Sequence, residues 1–68
     1  MKPVVEIVWD DHSLTVGEGT PRAVRVTSVG YLLEDTKRHV VIAQSRGETY
    51  QDKLLVLRPT LRKMKRIR

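Results

Sequence analysis

The sequence has no cysteine and no phenylalanine, and its only aromatic residues are Trp9, Tyr31 and Tyr50. Without cysteine there is no disulfide to staple the chain and no thiolate to hold a metal. Without phenylalanine the core has to be assembled from valine, leucine and isoleucine, side chains that suit a pleated sheet. No apolar run approaches the ~18 residues a membrane-spanning helix requires. The stretch MKPVVEIVWDD is also unlike a secretion signal, because acids follow its short apolar run at once. A soluble, cytoplasmic protein is the expectation. The 68 residues suffice for one small domain, whose core supplies only about 3–5 kcal/mol. Self-association into a homo-oligomer is therefore expected as a further source of stability.

Acids are missing from one region. The net charge is +5, yet residues 58–68 hold six cations, Arg58, Arg62, Lys63, Lys65, Arg66 and Arg68, and no acid. The first 57 residues carry the other seven cations against all eight acids, so the body is nearly neutral and the end strongly basic. Such asymmetry points to an anionic partner for the end segment, nucleic acid foremost, with simple solvated charge as the plain alternative.

What is abundant is strand-forming sequence. Residues 4–9, VVEIVW, form a β-branched run in which Val5, Ile7 and Trp9 share one face and Val4, Glu6 and Val8 the other. Residues 10–21 have loop composition, with Gly17, Gly19 and Pro21 breaking any regular element. Residues 23–43 read as a hairpin: a strand to Leu33, a polar turn over 34–38 and a return strand over 39–43. Along the first of these strands the apolar side chains change face near Gly30, the mark of a bulge or sharp bend. A turn over 44–49, a strand over 53–58 and a basic end follow. Leu61, Met64 and Ile67 recur every third residue. We read one helical turn at 59–61 and then a closing strand from about Lys63. The expected fold is a single all-β domain over residues 1–68, a five-stranded, strongly bent antiparallel barrel of the SH3-like or Sm-like kind.

The strings Trp9-Asp10-Asp11, then SVGYLLEDT over 28–36, then VVIA over 40–43 resemble a class of short bacteriophage and prophage proteins. In that class a tryptophan-aspartate start leads to a serine-any-glycine-aromatic-leucine core, a strand ending in alanine and a later strand with a basic end. Here Arg58 stands where isoleucine is more usual, and residues 11–21 depart freely from the pattern. The resemblance spans most of residues 4–67. It implies a compact Sm-like or SH3-like barrel and a viral setting, and it assigns no activity.

Side chains with chemical potential are few. Asp10, Asp11, His12 and Ser13 are adjacent along the chain and point in different directions, so they do not converge as a catalytic triad must. Turn and cap roles suit them better than metal binding. His39 borders an apolar strand and reads as half-buried and structural. Gly17-Glu18-Gly19-Thr20 lacks the spacing and the lysine of a phosphate-binding loop. No enzyme, cofactor or metal is expected. Tyr31 and Tyr50, and less readily Trp9, could stack on bases. Three functions remain open: a nucleic-acid-binding module using the basic end, a counter-defence protein that sequesters a cyclic nucleotide between subunits, and a structural, oligomeric assembly protein.

Overall fold

A computed structural model describes residues 1–12 and 23–68. Their elements are β1 (Val4–Asp11), β2 (Val24–Asp35), β3 (His39–Arg46), β4 (Tyr50–Leu57), a 3-10 turn η1 (Arg58–Thr60) and β5 (Leu61–Arg66). The strands form one antiparallel sheet in the order β4-β3-β2-β1-β5. The all-β class and five strands agree with the sequence reading. β4 and β5 are the two edges and do not pair with each other, so the ring of hydrogen bonds is open.

The architecture turns on β2, which serves two neighbours in succession. Its first part pairs with β1, from Val24 opposite Asp11 to Tyr31 opposite Val4. Its second part pairs with β3, from Tyr31 opposite Ala43 to Asp35 opposite Val40. The handover falls at Gly30 and Tyr31, and there the backbones crowd: a Cβ on Gly30 would lie 2.5 Å from the Ala43 carbonyl oxygen. The change of face expected at Gly30 comes three residues later. The register shifts between Leu32 and Glu34, leaving Leu33 as the extra residue of a bulge, while Gly30 itself stays buried on the core side. Glycine is needed there for close approach rather than for a bulge.

One face of the sheet holds the buried Val5, Ile7, Val40, Ile42 and Val56, with Trp9, Leu32, Leu54, Leu61 and Met64 packed against them. All five strands contribute to this cluster, including β1 and β4, which are not neighbours.

Several boundaries differ from the sequence reading, β2 and β3 running on to Asp35 and Arg46. β1 runs through Asp10 and Asp11, placed above in a loop, because Asp10 finds cross-strand arginine partners. β4 begins at Tyr50, so the connection after β3 is short. β5 begins at Leu61 directly after η1. The three-residue spacing of Leu61 and Met64 has a β-sheet cause: Met64 faces Ile7 and Leu61 faces Trp9, with a register shift between them. Arg62 is the extra residue of that bulge, which lets two residues three apart share the core face. The rest of the loop expected over residues 10–21 lies outside the described residues.

Candidate functional site

The basic end does not act as a unit. Arg58 is tied to the hairpin turn, where its Nε donates to the Thr36 carbonyl at 2.9 Å and its guanidinium bonds Asp35. Thr36 organises the same turn, its hydroxyl accepting from the His39 amide at 3.1 Å and the Arg38 amide at 3.2 Å. Arg62, raised on its bulge, donates to Asp10 Oδ2 at 2.5 Å, while Arg25 donates to Asp10 Oδ1 at 3.1 Å from the facing strand. Among the described residues, Arg58 and Arg62 of the six end cations are thus tied to acids of the body. Glu6 lies opposite Lys65 in the β1–β5 register, and Asp52 accepts from the Ser45 hydroxyl at 2.6 Å.

Asp10 is buried, with both carboxylate oxygens engaged. The hydrogen bond from Arg62, then that from Arg25, holds its carboxyl below the usual carboxylate range. A depressed folded-state pKa contributes stability that is present above the unfolded value of about 3.8 and is lost as pH falls through the folded value. Asp10→Asn is therefore expected to be less stable than the native chain at pH 6. The gap should narrow as the pH is taken from 5 towards 2, measured by urea midpoints across that range. A gap independent of pH would show that the carboxylate charge is not what the two arginines use.

The remaining cations separate by position. Lys63 and Lys65 are exposed on β5, opposite Val8 and Glu6. Arg66 and Arg68 instead reach a cleft of about 370 Å3 lined by Met1, Lys2, Pro3, Val4, Tyr31, Arg46, Arg66 and Arg68. The end of the chain is brought there by main-chain bonds: Val4 N–H donates to the Arg68 carbonyl at 2.6 Å and Ile67 N–H to the Val4 carbonyl at 2.8 Å. Tyr31 stands at the handover point of β2, and its ring lies 5.2 Å from that of Tyr50 at an interplanar angle of 56°. The Arg46 guanidinium sits 5.7 Å from the centre of the Tyr50 ring, within cation–π range. The cleft thus brings three guanidinium groups to Tyr31, whose ring is tilted against that of Tyr50.

Trp9 is elsewhere. It packs against the core, and its indole N–H donates to the buried Ser28 hydroxyl at 3.0 Å, so the serine and the tryptophan of the sequence pattern satisfy each other. His39 pairs with Glu34 at 2.8 Å. Among the described residues no group of three acids, histidines or cysteines is placed to hold a metal ion, and no helix is long and apolar enough to cross a membrane.

Lys2 and Arg46 are the cleft residues that sequence reasoning missed. Arg46 did carry a signal, since it and Tyr50 flank a short turn and pair directly across it. Lys2 carried none. Fold and cleft define a single-sheet β protein with a cationic, tyrosine-lined recess. No family model matches the chain, and no curated protein or solved structure matches it either.

Proposed function

We propose that this protein is a non-enzymatic binding module of bacteriophage or prophage origin, built as a small SH3-like or Sm-like barrel, whose ligand is nucleic acid. The observation that carries the proposal is the meeting of Arg46, Arg66 and Arg68 with Tyr31 in one cleft. Guanidinium groups present planar, paired donors that match phosphate oxygens. Tyrosine faces accept any base by stacking, which suits single strands. Lys63 and Lys65 on the adjoining edge strand extend the track for the backbone.

Neutralising three phosphates in the cleft and two along β5 gives a salt slope of about −3.5 in log affinity against log salt for a single strand. Tyr31→Ala is expected to weaken binding by about fivefold to a hundredfold, from ~1–3 kcal/mol of lost stacking. Fluorescence anisotropy with a labelled single-stranded oligonucleotide, titrated at several salt concentrations, reads both. Absence of binding at low salt would overturn the reading.

The size of the cleft favours a second reading. About 370 Å3 lies in the range of small-molecule pockets and suits a cyclic nucleotide sequestered as a counter-defence measure. A thermal-shift series with cyclic mono- and dinucleotides separates the two. Under the first reading, affinity grows with oligonucleotide length and the cyclic compounds leave the midpoint unchanged. Under the second, a cyclic compound raises the midpoint with concentration and oligonucleotide length has little effect.

A further inference from the structure

The two edges of the sheet are differently equipped. β5 carries Arg62, Lys63, Lys65 and Arg66, and edge lysines and arginines are a common guard against strand addition. β4 has a single lysine, Lys53, at one end of its apolar run. Leu55 and Leu57 on its outer face are 54% and 55% exposed, while Leu54 and Val56 turn to the core. Leu55 lies opposite Val41, and Leu57 opposite His39, on the one neighbour that β4 has in the sheet.

We infer that β4 is a self-association edge, on which two copies of this chain pair antiparallel, β4 against β4, about a two-fold axis at Leu55. The straight part of the edge is bounded. Asp52, at φ 54°, turns the strand at one end, and at the other the Leu57 carbonyl accepts the Thr60 hydroxyl at 2.7 Å. Residues 53–57 remain, and an antiparallel pair centred on Leu55 uses all of them. In that register Leu55 meets Leu55 of the second copy, Leu54 meets Val56, and the aliphatic stem of Lys53 lies along Leu57. Every side chain then has an apolar or amphipathic neighbour, and no like charges are opposed.

The charges disfavour the other pairings. β5 against β5 would set cations against cations. β4 against β5 would offer the four cations of β5 a single acid, Asp52, already bound by Ser45, beside a further cation, Lys53. A closed isologous pair also leaves the cationic edge of each copy free.

Because the chain has no cysteine, the register can be read directly. Residues facing each other across an antiparallel pair have Cα atoms ~4.5–5.5 Å apart, within disulfide reach. Full-length Leu55→Cys, treated with copper phenanthroline as oxidant at tens of micromolar protein, is expected to cross-link to a covalent dimer. Lys65→Cys and Val29→Cys, also exposed, are expected to remain single under the same treatment. Sedimentation equilibrium of the native chain is expected to show twice the 7.8 kDa chain mass. Leu55→Lys is expected to return the single mass with an unchanged circular dichroism spectrum, and Leu57→Glu gives a second break should the first variant not fold. A native chain monomeric at all concentrations, cross-linking equal at all three cysteine positions, or a dimer that survives in folded Leu55→Lys or Leu57→Glu would overturn the inference.

Discussion

Gly30→Ala is expected to destabilise the protein by about 3 kcal/mol, the upper end of overpacking costs. The new Cβ would stand 2.5 Å from the Ala43 carbonyl oxygen, 3.0 Å from the Ala43 carbonyl carbon and 3.3 Å from the Ile42 Cβ. Two of these three atoms are backbone, held by the β2–β3 ladder, so no flexible side chain can swing aside. Relief requires β3 to retreat from β2 at the point where β2 changes partners, and that retreat would also disturb the packing of Ile42. The loss is set against a core worth about 3–5 kcal/mol. Gly47→Ala is the control. A Cβ there meets only the Gln51 side chain at 3.9 Å, and a change within about 0.5 kcal/mol is expected. Urea unfolding of both variants, followed by Trp9 fluorescence and circular dichroism, provides the comparison. Equal midpoints would mean that the handover between β1 and β3 does not depend on the missing side chain.

Ile42→Ala is expected to cost about 3–4 kcal/mol, within the usual range for truncating a buried isoleucine. Ile42 is fully buried on the central stretch of β3, with Leu32 opposite on β2 and Leu54 opposite on β4. The chain has no phenylalanine, and Trp9, which packs against the same cluster, is held by its bond to Ser28. Ile42→Val should cost about 1 kcal/mol, and Ile67→Ala, on a half-exposed side chain, about 0.5 kcal/mol or less. The ordering of the three midpoints is the measurement. Ile67→Ala falling below Ile42→Val would show that the core is not where the buried residues place it.

Much of the fold was legible because strand-forming runs announce themselves locally. The β-branched runs at Val4–Val8 and Val40–Ile42, the polar turn after Asp35 and the break at Pro59 each reflect short-range preferences that hold wherever the strand lies. The spacing of Leu61 and Met64 was legible but ambiguous, since a helix and a bulged strand both place residues three apart on one side. What decided between them was Ile7 and Trp9 on β1, more than fifty residues away in the chain. Asp10 reads locally as a turn residue, and only Arg25 and Arg62 converging on it make a strand position tolerable for a buried carboxylate.

The site was less legible than the fold. The concentration of cations after residue 57 is plain in composition, but composition does not tell a cation that neutralises the body from one left for a ligand. Arg58 and Arg62 fall in the first group because the hairpin turn and the bulge bring Asp35 and Asp10 to them. Arg66 and Arg68 reach the cleft instead, because the β1–β5 ladder carries the end of the chain past Val4.

The sequence by itself determined the all-β class, the near-neutral body with its basic end, and the aliphatic core, all of which are sums over local preference and composition. The tertiary structure decided which cations are spent on the body, that Tyr31 and Tyr50 come together while Trp9 turns inward, and that Arg46 and Lys2 join Arg66 and Arg68 around one cleft. Those outcomes depend on register between strands distant in the chain, and a shift of one residue would send each side chain to the opposite face. Gly30 shows the division at a single position. The pattern of faces suggested a bulge there, which the structure places at Leu33, and its actual task, admitting the Ala43 carbonyl, exists only once β3 has come to lie beside it.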